Sequence, residues 1–162
     1  MRAIEQVGSS SSPLLLRQRA ALVNDEPEVL GACYGGVLRL EGLSAIPWIA
    51  RFLSSGDEAA AEAALALSAT HSVEAFQVLR EHLQKTPDPW FRSVILSAIA
   101  LTRHDEAMEF LLDVVRNDSV DAAGAIEAIL RSGPSEKVME SLEKETSANP
   151  RLTRVLAEQR KA

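Results

Sequence analysis

Apolar residues along this chain recur at helical spacing, and the spaced sets themselves recur. Val29, Ala32, Cys33, Gly36 and Val37 stand at i, i+3, i+4, i+7 and i+8. Ala60, Ala63, Ala64, Leu67 and Ser68 repeat the pattern, and so do Phe91, Val94, Ile95, Ala98 and Ile99. Each set defines one broad apolar face of an α-helix. No stretch alternates apolar and polar residues with β-branched enrichment, so no strand is predicted.

The sets keep a common period. Their first positions are Val29, Ala60, Phe91, Ala122 and Leu152, in steps of 31, 31, 31 and 30. A second series, Leu15, Ile46, Phe76, Met108 and Val138, steps by 31, 30, 32 and 30, and Leu22, Leu53, Leu83 and Val115 keep pace with it. Asp25, Asp57, Asp88, Asp118 and Asn149 precede the first series. Each is expected to cap a helix, because its side-chain oxygen can accept from an orphan amide of the first turn. The pattern predicts an all-α solenoid of about five helix pairs, over 13–41, 43–70, 73–103, 105–132 and 135–161. Residues 1–12 read as a partial leading helix and a Ser-rich loop, and 1–162 as one repeat domain. The leading half-helix leaves Leu14, Leu15, Leu16, Leu22 and Val23 thinly covered, so further repeats N-terminal to this chain are a possibility. The polar last pair reads as a C-terminal cap.

A helix pair of about 31 residues, with Asp25-Glu26-Pro27-Glu28-Val29 leading into its second helix, resembles a HEAT-like repeat. Ala45-Ile46-Pro47-Trp48-Ile49 is similar to the first-helix signature of the short type found in phycobilisome lyase-like proteins. Later copies drift, with Gln77, Glu109 and Met139 in the place of Pro47. The resemblance implies a right-handed superhelix whose second helices line a concave side. It leaves the role open, since such repeats serve many.

Composition narrows the possibilities. The 162 residues are 46% hydrophobic and only 4% aromatic, which suits closely stacked helices. The net charge of −6 argues against nucleic acid as a partner, because neutralising phosphates needs a basic surface. No apolar run approaches the length of a membrane span, and no signal sequence is visible, so a cytoplasmic protein without a membrane partner is expected. The single Cys33 cannot form an intramolecular disulfide.

Candidate chemistry is sparse. Cys33 falls in the same column as Ala64, Ile95, Ile126 and Leu156, so it reads as a small core residue. His71 and His104 occupy similar turns, but no further ligand completes a metal set, and they read as partners of helix C-termini. There is no phosphate-binding loop and no catalytic motif. No cofactor, no metal and no enzymatic activity are therefore expected.

What remains is the outward face of the second helices. Numbered from the first buried position, the +5 column is Tyr34, Leu65, Leu96 and Glu127. The +2 column is Gly31, Glu62, Ser93 and Gly124, and the +6 column is Gly35, Ala66, Ser97 and Ala128. Gly31 and Gly35 cost about 1 kcal/mol each in a helix interior, and close approach of a ligand is one compensation. This face is either a groove for another protein's helix or extended segment, or simply the contact between repeats. The first function read from the sequence is a non-enzymatic protein-interaction scaffold with its partner on the concave face. The alternatives are a chromophore-lyase-like subunit and, further off, a nucleic-acid-acting HEAT-like protein.

Overall fold

The computed structural model describes residues 12–21 and 26–161, and every regular element among them is helical. The helices are α1 (Ser12–Ala20), α2 (Pro27–Glu41), α3 (Ile46–Ala50), α4 (Glu58–Ser68) and α5 (Val73–Lys85). They continue with α6 (Pro89–Leu101), α7 (Asp105–Arg116), α8 (Ala122–Arg131), α9 (Glu136–Ser147) and α10 (Pro150–Gln159). The first helix of the pair expected over 43–70 is the short α3 between two 3-10 turns, Gly42–Ala45 and Arg51–Ser55. The chain is an all-α solenoid.

Two layers build it. The second helices α2, α4, α6, α8 and α10 each pack on the next, while α3 meets α5 and α7 meets α9 in the other layer. Side-chain size differs between the layers. The second helices are rich in Ala and Gly, as in Glu58–Ser68 and Ala122–Arg131, and small residues let axes approach. Across the first layer, α5 and α7 are spaced by Phe76 and Phe110, whose ring centroids stand 6.0 Å apart, with Arg80 over the Phe110 ring. Cys33 is fully buried in the shared core, with Ala64, Ile95 and Ile126 of its column.

The helix ends follow local chemistry. Asp57 accepts from the Ala60 amide at 3.0 Å, Asp88 from Phe91 at 2.7 Å and Asn149 from Arg151 at 3.0 Å. Asp118 departs from the expectation. It lies in the left-handed region at φ 45 and pairs with Arg151, and α8 begins only at Ala122. The Asp25 cap, Leu22, Val23 and the leading half-helix of residues 1–7 lie outside the described residues.

The C-terminal ends of the second helices carry their own column. Gly42, His71, Arg103 and Gly133 all have φ between 50 and 69, each a positive-φ residue that stops its helix. His71 and Arg103, not His71 and His104, are the equivalent pair. Nδ1 of His71 bonds the Thr102 carbonyl of the next repeat at 3.0 Å, and Arg103 reaches the Ser132 carbonyl at 3.4 Å. His104 instead caps α7, accepting from the Glu106 amide at 3.3 Å.

Pro27–Ser55 corrects one further expectation. It contains an 18-residue window of mean hydropathy 1.2, apolar enough by composition for a membrane span. Gly42, at φ 64, breaks that stretch after α2. The 15 residues of α2 extend about 22 Å, short of the roughly 30 Å of a bilayer core.

Candidate functional site

Two grooves open on the layer of second helices. The first lies between α2 and α4, has a volume of about 400 Å³ and is mostly apolar. Gly31, Gly35, Leu38 and Leu43 line it from one side, Glu62 and Ala66 from the other, with Arg39 and Thr70 toward the helix C-termini. The second, about 530 Å³, lies where α6 and α8 begin and is lined by Pro87, Pro89, Ser93, Leu96, Val120 and Gly124, among others.

The first groove exists because α2 lacks side chains there. A Cβ at Gly35 would meet nothing nearer than the Arg39 guanidinium at 3.4 Å, so the floor is open. At Gly31 the space is used. The Glu62 side chain folds across from α4, and its Oε2 lies 2.2 Å from where a Gly31 Cβ would stand. Burial and the neighbouring Glu28 charge push the Glu62 carboxyl above its ordinary range. Leu43 and Leu65 stand exposed beside this groove, at 49% and 41%.

Of the residues expected on this face, Gly31, Gly35 and Glu62 are brought together, and Ser93 and Leu96 share the second groove. Ser97 is half-buried, and Glu127 pairs with Arg131 at 3.4 Å one turn along α8. Tyr34 is a correction. It is fully buried and turned toward the first layer, with its ring 5.0 Å from Phe52 and 6.0 Å from Trp48. Arg17 lies over the other side of that cluster, 4.7 Å from the Trp48 ring. Leu96 is also buried, because Gly124 lets α8 close on it: a Cβ at Gly124 would stand 3.1 Å from Leu96 Cδ1. The +5 column is therefore no continuous ridge, and only Leu65 of its three apolar members reaches solvent.

Sequence reasoning placed Ala66 on this face but missed Leu38 and Leu43 as groove residues. Leu38 and Leu43 fall at the end of α2 and in the turn after it, where the face argument ran out. It also missed the clamp on Arg92. This guanidinium holds both Asp121 carboxylate oxygens, Nε to Oδ1 at 2.9 Å, and donates to the Leu83 and Thr86 carbonyls at 2.6 Å each. It joins the end of α5, the start of α6 and the start of α8. Among the described residues no three His, Cys, Asp or Glu side chains converge as metal ligands would.

A family model for HEAT repeats matches residues 46–131, more than half of the chain. That match is to HEAT repeats at large and does not single out the shorter lyase-like type. No curated protein and no solved structure matches the chain.

Proposed function

Because this chain belongs to the HEAT-repeat family, whose members are generally protein-interaction scaffolds without catalytic activity, we propose that it is a scaffold that holds a segment of a partner protein along its inner, second-helix face. The observation that carries this is the pair of grooves on that face, between α2 and α4 and between α6 and α8. Helix axes packed about 8–10 Å apart put the two grooves two helix spacings, roughly 16–20 Å, from one another across the layer. An extended chain covers that lateral distance in about five or six residues, and needs more because the first groove lies toward the helix C-termini and the second at the N-termini. The exposed Leu43 and Leu65, with Trp90 and Val120 by the second groove, supply apolar anchors of the kind that dominate interfaces.

The test is site-specific crosslinking in a lysate of the source cells. A photo-reactive side chain at position 43 or 65 is expected to capture a protein that the same group at position 113, on the outer helix α7, does not. Capture that is equal from both faces, or absent from the inner one, overturns the reading.

A further inference from the structure

The groove where α6 and α8 begin has spent its polar side chains. Arg92 and Asp121 hold each other, and the same guanidinium takes the Leu83 and Thr86 carbonyls. The Thr86 hydroxyl donates to the His82 carbonyl and the Ser93 hydroxyl to the Trp90 carbonyl, both at 2.7 Å. The cation and the anion of the lining cancel, so charge complementarity asks for a neutral occupant. The rest of the lining is apolar: Pro87, Pro89, Leu96, Val120 and Gly124. Pro87, Pro89 and Val120 stand exposed, as does Trp90 in the same turn of α6 as Pro89 and Arg92. A cluster of exposed apolar side chains marks a contact surface. The Trp90 indole N–H has no hydrogen-bond partner among the described residues, so a donor stands beside a groove whose own hydroxyls are used.

These features select a backbone as well as a charge. An added β-strand needs a free sheet edge, and every regular element among the described residues is helical. A helix is about 10–12 Å across with its side chains and would ride on the rims. Below it α6 and α8 already touch, where a Cβ at Gly124 would stand 3.1 Å from Leu96 Cδ1. A proline-rich segment is narrower. It brings few N–H groups that would need an acceptor, and its carbonyls are free to meet a donor. We propose that this groove takes an uncharged, proline-rich stretch of a partner protein in the polyproline II conformation. Its proline rings pack on Pro87, Pro89 and Val120, and one of its carbonyls accepts from Trp90 Nε1. The inference rests on the scaffold reading and adds the partner's chemistry at the second groove.

The test is selection of phage-displayed 12-residue random peptides on the whole protein, with binding of the enriched peptides measured by fluorescence anisotropy. The wild type is expected to enrich uncharged peptides whose prolines repeat at the three-residue turn of that conformation. Loss of an aromatic anchor predicts that these bind Trp90→Ala roughly tenfold or more weakly. Trp90 is half-exposed, so the helical circular dichroism and the Tm of that variant should hold. Val120→Asp, at a side chain 92% exposed, should weaken them without touching the fold. Affinity for the wild type should be the same at low and high salt. In a heteronuclear NMR spectrum the Trp90 indole N–H should shift on binding and that of Trp48 should not. Several results overturn the proposal: enriched peptides without proline, binding lost at high salt, equal affinity for Trp90→Ala, an unmoved Trp90 indole N–H, or no enriched peptide. Crosslinking from positions 43 or 65 separates the two failures. If a partner is captured there while proline-rich peptides fail, the scaffold reading stands and only this occupant is wrong. If neither is seen, both fall.

Discussion

Arg92 is the side chain whose loss should cost this fold most for its size. Its guanidinium and the Asp121 carboxylate are only 22% and 14% exposed, and their two-point pairing joins residues 29 apart. The same guanidinium satisfies the Leu83 and Thr86 carbonyls where α5 ends. Arg92→Ala leaves a largely buried carboxylate without its cation and two carbonyls without a donor. Breaking a fully buried pair costs about 3–5 kcal/mol, and the residual exposure lowers that to about 2–4 kcal/mol. For a chain of this length each kcal/mol is worth about 2–4 °C, so a fall in Tm of about 4–16 °C is expected. Arg92→Lys keeps the charge but cannot span the carboxylate and both carbonyls, and should behave more like the alanine variant than the wild type. Urea denaturation of R92A, D121A and the double variant closes a cycle, with an expected coupling of about 1–3 kcal/mol. A loss below about 0.5 kcal/mol for R92A, or a coupling near zero, would refute the clamp.

The remaining expectations concern single positions. The Tyr34 hydroxyl is buried with no hydrogen-bond partner among the described residues, so Tyr34→Phe should stabilise the protein by about 1–3 kcal/mol in urea denaturation; a destabilised variant means that the hydroxyl is bonded. Gly35→Ala adds a Cβ that meets only the Arg39 guanidinium, at 3.4 Å, and should gain about 1 kcal/mol of stability, read by the same titration. Folding raises the Glu62 carboxyl, so its contribution is present below the carboxylate range and is lost as the pH rises through it. Glu62→Gln should therefore have the higher Tm at neutral pH, with the difference shrinking toward about pH 4; a lower Tm at neutral pH would show that the carboxylate is satisfied in the fold.

The repeat was legible because stacking demands the same small apolar residues at the same places, and Ala60, Phe91, Ala122 and Leu152 are all buried where the period puts them. Three of the caps were legible too. The exception had a visible signal. Asp57, Asp88 and Asn149 stand three residues before the first buried position, but Asp118 stands four before Ala122. That extra residue is taken up in a turn, where Asp118 goes left-handed and meets Arg151. The inner face was only partly legible. Gly31, Gly35 and Glu62 are small or polar for reasons local to the groove. Whether a +5 residue is covered depends on its neighbour in the next repeat, as Gly124 decides for Leu96. Tyr34 was beyond reach of a column argument. The broken first helix around α3 turns Trp48 and Phe52 toward it, and a local aromatic cluster draws the side chain inward.

Hydrogen–deuterium exchange of the protein with and without its crosslink-identified partner tests the central claim most directly. The account predicts slowed exchange across α2 and α4, from Glu28 to Gly42 and from Glu62 to Thr70, with α5 and α7 unchanged. Protection confined to α5, α7 and the other outer helices, or no protection at the groove, would contradict it.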